Sequence, residues 1–98
     1  MTRLELASEV NEDLQRILNH LERFEVENIA ARIREIIEAI SILASNPLIG
    51  RPTSNNMREL VIGRDARGYI ALYRYITEID SVFILAIRSQ REAGYKRP

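Results

Sequence analysis

Three short runs rich in aromatic and β-branched residues dominate the second half of the chain, at residues 57–62, 68–76 and 81–88. Turn-forming residues separate the runs, in the segments 63–68 and 77–80. Closely spaced runs of this composition, joined by short turns, are typical of consecutive antiparallel strands. The sequence therefore predicts a β-meander, and the rest of the chain must pack against it.

The third run is apolar on both of its alternating faces. One face carries Val82, Ile84 and Ala86, and the other carries Phe83, Leu85 and Ile87. A strand that is apolar on both sides is typical of a central position in a sheet whose two faces are covered. The run ends at Arg88, and Arg91 and Tyr95 follow. The end of a rigid strand is thus predicted to present two cations and a phenol at one place on the surface.

The chain begins with features of a short strand and an amphipathic helix. Residues 2–6 alternate polar and apolar side chains, which predicts a strand that joins the meander. Ser8 is the predicted N-cap of the first helix, and acidic side chains follow where they favour the helix dipole. Apolar residues then recur at helical spacing, so we expect this helix to end near Leu21 or Glu22.

A second apolar stripe, from Ile29 to Leu43, predicts another helix after a short connection. The helix is expected to end before Pro47, because the residue preceding a proline is pushed out of helical geometry. Residues 47–56 show no periodicity and are predicted to form a loop. Two amphipathic helices joined in this way form an antiparallel hairpin that can pack on one face of a sheet.

These elements predict an α+β fold with the order β-α-α-β-β-β. The helical hairpin is expected to pack on one face of a small, mainly antiparallel four-stranded sheet. A chain of 98 residues fits a single domain, here residues 1–98, with a modest core.

Composition narrows the classes of protein further. The chain has no cysteine, so we expect neither disulfides nor a thiolate metal site, and nothing in the sequence points to a metal or another cofactor. No apolar run approaches the roughly 20 residues that cross a bilayer. The first residues also lack the apolar segment of a signal peptide. We therefore expect a cytoplasmic protein without membrane contacts.

Charge is balanced overall but polarised along the chain. Residues 1–50 carry five arginines against nine carboxylates, and residues 51–98 carry nine cations against five carboxylates. Thirteen of the fourteen cations are arginine, which suits bidentate contacts with carboxylate or phosphate. Two interpretations stay open. Either the helices have solvated acidic faces beside a sheet with ordinary surface arginines, or the sheet has a basic face for an anionic partner such as nucleic acid or an acidic protein segment.

Four short motifs, in this order and in a chain of this length, resemble the RelE/ParE superfamily of toxins from bacterial type II toxin-antitoxin systems. They are PLIGR at 47–51, REL at 58–60, YR at 73–74 and IRSQRE at 87–92. The resemblance covers nearly the whole chain and implies one of two activities. RelE-like members cut messenger RNA on the ribosome, whereas ParE-like members poison DNA gyrase without hydrolysing anything themselves.

RNA cleavage by the 2′-hydroxyl requires a proton acceptor, cations that stabilise the phosphorane, and a proton donor for the leaving oxygen. Three arginines and the C-terminal phenol could supply the last two functions: Arg58, Arg88, Arg91 and Tyr95. A proton acceptor is harder to find. His20 lies in the first helix, Lys96 lies at the terminus, and the strand at 57–62 has no lysine. These absences favour the ParE-like branch, in which the same four residues would contact the target.

The resemblance also implies the partners. A ParE-like toxin binds DNA gyrase and is neutralised by a ParD-like antitoxin, so operator DNA would be contacted only through the antitoxin. The predicted antitoxin-binding residues are apolar, on the first helix and the last strand: Leu14, Leu18, Leu21, Val82, Ile84 and Ala86. The alternatives are a RelE-like, ribosome-dependent endoribonuclease that uses Arg58, Arg88, Arg91 and Tyr95, or an inactive relative that only binds an antitoxin.

Overall fold

A computed structural model describes residues 1–24, 27–64 and 67–95. The described residues form two α-helices and five β-strands. The strands are β1 (Arg3–Leu6), β2 (Arg51–Pro52), β3 (Arg58–Ile62), β4 (Tyr69–Ile76) and β5 (Ser81–Ser89), and the helices are α1 (Val10–Arg23) and α2 (Ile29–Ser41). Short 3₁₀ turns follow α2 at Ile42–Ala44 and β4 at Thr77–Ile79. No helix in these ranges has the length and apolarity to cross a membrane.

The sheet confirms the predicted meander and corrects two details of the prediction. Within the described residues it has five strands rather than four, in the order β1-β5-β4-β3-β2. It is mixed, because β1 runs parallel to β5 while the other neighbours are antiparallel. The extra strand, β2, lies in the predicted loop 47–56 and pairs Arg51 with Glu59. At two residues, β2 is too short to give a sequence pattern.

The helical hairpin packs on one face of the sheet, as predicted. The core joins apolar residues of both helices to residues of the three central strands: Val10, Ile17, Leu21, Ile36, Ile40, Leu43, Ile62, Ala71, Tyr73, Val82, Ile84 and Ile87. Ser8 does not cap α1. Its hydroxyl donates to the Glu9 carboxylate and not to the helix, and the Val10 N–H donates to the Ala7 carbonyl in a preceding turn. The N-cap residue is Glu9, so the helix begins one residue later than predicted.

A bulge in the β4–β5 pairing changes which residues of β5 face the helices. Tyr73 pairs with Ile84 and Leu72 pairs with Ala86, so the register shifts across Leu85. Directly paired residues project to the same face of a sheet. Ile84 therefore shares the helix-covered face with Tyr73, whereas Ala86 shares the opposite face with Leu72. The prediction that Val82, Ile84 and Ala86 lie on one face is wrong for Ala86, because the bulge interrupts the period of two.

The strand β5 is an internal strand of the sheet, with β1 on one side and β4 on the other. The middle strand of the five is β4. The face away from the helices, here called the open face, carries Glu59, Leu72 and Arg88. Ile70 and Ala86 on this face are 5% and 4% exposed, whereas Leu72 and Phe83 are only half-buried. Part of the predicted apolar surface on the second face is therefore accessible.

Candidate functional site

The segment that follows β5 folds back against the protein. In this C-terminal tail, residues 90–95, the Gln90 N–H donates to the Gly68 carbonyl at 3.0 Å. The Glu92 N–H donates to the Ser89 carbonyl at 3.1 Å, and the Arg91 N–H donates to the Ser89 hydroxyl at 3.2 Å. These bonds turn the chain at the end of the strand. The tail is thus an ordered extension of β5.

An ion-pair network on the helix side anchors this turn. Arg16 of α1 donates from Nε to Glu92 Oε1 at 2.9 Å, and from Nη2 to Glu92 Oε2 at 3.3 Å and to the Ile87 carbonyl at 3.1 Å. Its Nη1 donates to Asp13 at 2.8 Å. Burial alone would lower the pKa of Arg16, but the hydrogen bonds to Asp13 and Glu92 outweigh it and raise that pKa. Arg16 therefore joins α1 to the tail as a permanent cation.

A second set of contacts holds the end of the tail on the open face. The Tyr95 hydroxyl donates to Glu59 Oε2 at 2.6 Å, and the Arg88 guanidinium carbon lies 5.1 Å from the centroid of the Tyr95 ring. Arg88 also donates from Nη1 to the carbonyls of Ser89 and Glu92, at 3.2 and 3.1 Å. Tyr95 thereby reaches β3 from the end of β5, and the tail crosses the sheet.

This geometry changes the acid–base properties of the phenol. Burial and the hydrogen bond to the Glu59 carboxylate raise the pKa of Tyr95, and the smaller effect of Arg88 does not cancel them. Glu59 Oε1 is also paired, with Arg51 at 3.2 Å. Glu59 is a carboxylate beside the phenol that no sequence pattern indicated, but its oxygens already accept hydrogen bonds from Tyr95 and Arg51. Both groups are poorly prepared for proton transfer.

High pH is expected to weaken the attachment of the tail. The pKa of Tyr95 is higher in the folded chain than the unfolded value of about 10. The stability contributed by the neutral phenol is therefore fully present below about pH 10 and is lost as pH rises through the folded pKa. Urea unfolding between neutral and alkaline pH should show stability falling above pH 10, and less steeply in Tyr95→Phe. An identical slope in the two proteins would contradict this. The loss would then come from Tyr73, whose pKa is raised by burial, and Tyr75, whose pKa is raised by its hydrogen bond to Asp80.

The four residues predicted to contact the target do not form one cluster. Arg88 and Tyr95 lie together on the open face. Arg58 pairs with Tyr73 on the opposite face, where its Nη1 donates to the carbonyls of Gly50 at 2.7 Å and Leu48 at 3.1 Å. The side chain of Arg91 is exposed and forms no ion pair with any other described residue. Arg91 alone among the four has a cation that is free of such internal contacts.

Arg91 contributes to a groove of about 730 Å³ beside the C-terminal end of α1, here called the end groove. Its charged and titratable walls come from both helices, the β3–β4 connection and the tail: Arg16, His20, Arg32, Arg67, Arg91 and Glu92. Its apolar floor includes Ile17, Leu21, Phe24 and Tyr69. Sequence reasoning did not find this groove, because its arginines lie far apart in the chain and no motif connects them.

His20 lies in the last turn of α1, as predicted, and its ring centroid lies 4.7 Å from that of Phe24. It is in the end groove and not near Tyr95, so it offers no proton acceptor to the phenol. In the described ranges, no group of three or more His, Asp or Glu side chains is arranged to hold a metal ion.

The residues predicted to bind an antitoxin are mostly internal. Val82 and Ile84 are 0% exposed, and Ala86 is 4% exposed on the open face. Leu14 and Leu18 are half-buried on α1, and Leu21, although 3% exposed, lines the floor of the end groove. Of these six residues, only Leu14 and Leu18 are more than a few per cent exposed. As antitoxin contacts, all six residues stay a prediction.

The sequence model of the family described as the ParE toxin of the type II toxin-antitoxin system parDE matches residues 4–94. No curated protein sequence gives a significant match.

Solved structures of toxin-antitoxin proteins are similar in fold. A chain of the chromosomal ParDE toxin-antitoxin system from Pseudomonas aeruginosa aligns with a TM-score of 0.73 and 24% identity, over 91% of this chain and 96% of that one. A chain of the intact Escherichia coli RelBE complex aligns with a TM-score of 0.64 and 11% identity, over the same shares. A chain of a RelBE complex from Mycobacterium tuberculosis aligns with a TM-score of 0.60 and 20% identity, over 90% and 96%.

Proposed function

The chain belongs to the ParE toxin family of type II toxin-antitoxin systems, and from this membership we propose that it inhibits DNA gyrase, blocks replication and is neutralised by a ParD-like antitoxin. The mechanism is stabilisation of the gyrase–DNA complex in its cleaved state by protein contacts. It requires no covalent chemistry by the toxin, no metal and no other cofactor.

The observation that carries this proposal is the hydrogen bond between Tyr95 and Glu59. A nuclease of the RelE type would use the phenol as an acid and would need a nearby base. Here the phenol donates a hydrogen bond to the Glu59 carboxylate at 2.6 Å, and that carboxylate also pairs with Arg51. A phenol with a raised pKa is a weak general acid near neutral pH. The arrangement therefore supports binding over cleavage.

Target contact is assigned first to Arg91. Its cation is exposed and lies on an ordered turn, and an arginine in such a position is a common central contact in protein interfaces. The other predicted contact residues, Arg58, Arg88 and Tyr95, stay in the proposed site, but each already has an internal partner. Arg88 and Tyr95 fix the tail, whereas Arg58 fixes the segment around Gly50. Arg88 and Tyr95 contribute mainly by holding the tail that carries Arg91, and Arg58 contributes by holding the segment around Gly50.

An antitoxin partner is supported by the similar structures, which are chains of toxin-antitoxin systems. The chain also has apolar side chains that an antitoxin segment could cover, including Phe24, which is 62% exposed beside the end groove. Any contact with operator DNA would be made through the antitoxin.

The test is a plasmid cleavage assay with purified protein, gyrase, ATP and supercoiled DNA, stopped with detergent and protease. We expect linear plasmid to accumulate above the level with gyrase alone. Arg91→Glu should lower this accumulation roughly tenfold, as expected for reversal of an important interface arginine. The matched control is Arg34→Glu, an exposed arginine of α2 outside the end groove, which should behave like the wild type. Unchanged plasmid with folded, antitoxin-free protein would refute gyrase inhibition.

The second candidate is a ribosome-dependent endoribonuclease, and the observation in its favour is that a phenol, a carboxylate and a cation meet on the open face. Tyr95→Phe separates the two functions. A nuclease that uses the phenol as acid should lose about a hundredfold or more of its cleavage rate. A gyrase inhibitor should retain most of its activity in the plasmid assay, because the ring and its contact with Arg88 remain.

A further inference from the structure

The strand β1 forms a free edge of the sheet. It is the outermost strand in the order β1-β5-β4-β3-β2 and pairs with β5. The N–H groups of Arg3 and Ala7 donate to carbonyls in β5 and just before it, at 3.1 and 2.9 Å. Because the backbone groups of successive residues in a strand point to opposite sides, those of Leu4 and Leu6 point away from β5. In the part of the chain that the structure describes, these N–H and C=O groups have no hydrogen-bond partner.

The side chains of β1 continue the two faces of the sheet. Leu4 and Leu6 pair with core residues of β5 and so lie on the helix-covered face. Leu4 packs against the core, whereas 50% of the Leu6 surface is exposed. Arg3 and Glu5 lie on the open face, where they form an exposed ion pair at 3.6 Å. The edge of β1 thus offers unpaired backbone groups next to an uncovered leucine.

Neighbouring segments limit the length of a strand that could pair with this edge. At one end, the Thr2 N–H donates to the Ala44 carbonyl at 3.1 Å, so the 3₁₀ turn Ile42–Ala44 lies beside the edge. At the other end the chain turns away after Ala7, whose carbonyl accepts the Val10 N–H at 2.9 Å. The open part of the edge is no longer than β1, which has four residues. A longer strand would collide with the 3₁₀ turn, so the best fit is a strand as short as β1 itself.

We propose that β1 pairs with β1 of a second copy of this chain, antiparallel and with Glu5 on the two-fold axis. In this register Leu4 lies opposite Leu6 of the second copy, and each such pair forms two hydrogen bonds through the backbone groups that were free. Each exposed Leu6 packs against Leu4 of the other copy, and the two sheets become continuous. The chain has a formal net charge of zero, so two copies do not repel each other at long range.

The same geometry predicts that the dimer is weak. The two Glu5 side chains face each other across the axis, and like charges directly opposite destabilise a strand pair. Two edges of this length bury less than about 1,200 Å², the range of transient complexes. We expect a dissociation constant on the order of 100 μM. The tail follows the far end of β5, beyond the residues that pair with β1, so both copies of Arg91 stay outside the interface.

Concentration dependence tests the pairing in the wild-type protein, by sedimentation velocity and by amide hydrogen exchange at about 50 μM and about 1 mM. We expect the average mass to rise towards that of a dimer. The amides of Leu4 and Leu6 should exchange about threefold more slowly at the higher concentration, because fewer chains are monomeric. The Glu5 amide points towards β5 and should not change. A monomer at both concentrations, with unchanged exchange at Leu4 and Leu6, would overturn the proposal.

Leu6→Lys tests the location of the interface. A lysine on an edge strand opposes pairing with another strand, so dimerisation should weaken about tenfold or more. The matched control is Val61→Lys, at a strand residue that is 46% exposed and lies on β3, away from β1. Circular dichroism shows whether each variant is folded. If both variants dimerise equally well, or lose dimerisation equally, β1 is not the interface.

Glu5→Gln tests the register. With Glu5 on the axis, the substitution removes a repulsion between the two copies and should tighten dimerisation about threefold. With Leu4 on the axis, Arg3 would lie opposite Glu5 of the second copy, and the same substitution would weaken dimerisation. Weaker dimerisation of Glu5→Gln would therefore overturn the proposed register. All of these measurements use the isolated protein, so their outcome does not depend on gyrase inhibition.

Discussion

Replacing Asp13 with alanine is expected to lower the free energy of unfolding by about 3 kcal/mol, because it removes a buried carboxylate that accepts both a backbone amide and an arginine. The Asp13 side chain is 1% exposed. Its Oδ2 accepts the Ile87 N–H at 3.0 Å, and its Oδ1 accepts Nη1 of Arg16 at 2.8 Å. Alanine would leave a buried amide of β5 without an acceptor and would weaken the network that anchors the tail.

Urea unfolding followed by circular dichroism measures this loss. Asp13→Asn keeps an acceptor for the Ile87 N–H and should therefore lose less stability than the alanine variant. Glu12→Ala, an exposed neighbour in the same helical turn, is the matched control and should change stability by no more than about 0.5 kcal/mol. A loss in Asp13→Ala no larger than in this control would show that the buried network contributes little.

The role of Asp13 also shows where sequence reasoning ended. An acidic residue in the first turn of a helix indicates a favourable interaction with the helix dipole, and the pattern offers nothing more. Its actual partner, Ile87, lies 74 positions away along the chain. Such a contact follows only from the packing of α1 against β5. Periodicity does not contain that information.

The same distinction holds for the fold as a whole. Apolar periodicity located both helices and the strands β3, β4 and β5, because each is long enough to repeat its pattern. The pairing of β1 with β5 could not be predicted from the strand itself. Residues 3–6 alternate polar and apolar side chains whether the neighbour is parallel or antiparallel, and only the crossover through the helical hairpin decides. The bulge at Leu72 and Tyr73 likewise has no sequence signal.

For the candidate site, the sequence correctly placed Arg88, Arg91 and Tyr95 near the end of β5. It did not find Arg16 and Glu92, which lie 76 positions apart and form the anchor of the tail. It also predicted that the cations of Arg58 and Arg88 contact a target, although both already make contacts inside the protein. Arg88 stacks on Tyr95, an arrangement that a list of charges cannot reveal.

The motif PLIGR at residues 47–51 shows most clearly how a family resemblance divides between fold and function. Tyr73, which is 0% exposed, donates its hydroxyl to the Pro47 carbonyl and accepts the Gly50 N–H, each at 2.8 Å. Arg58 donates to the Gly50 carbonyl at 2.7 Å. With the Leu48 carbonyl, which also accepts from Arg58, four of the motif's backbone groups are thus fixed by side chains of β3 and β4. These contacts explain why the motif accompanies the fold.

Gly50→Ala is therefore expected to destabilise the protein by about 3 kcal/mol, at the upper end for overpacking of a buried site. A Cβ at this position would lie 2.6 Å from Cε1 and the hydroxyl oxygen of Tyr73 and 2.9 Å from the Glu59 carbonyl. The Tyr73 ring is buried and the Glu59 carbonyl belongs to the backbone of β3, so neither can shift without disturbing the packed core. Ile49→Ala, at a neighbouring position 58% exposed, is the matched control and should change stability by no more than about 0.5 kcal/mol in urea unfolding. If the two variants were equally stable, the fold would not depend on the close approach of Gly50 to Tyr73. The motif would then serve contact with the target and not the fold.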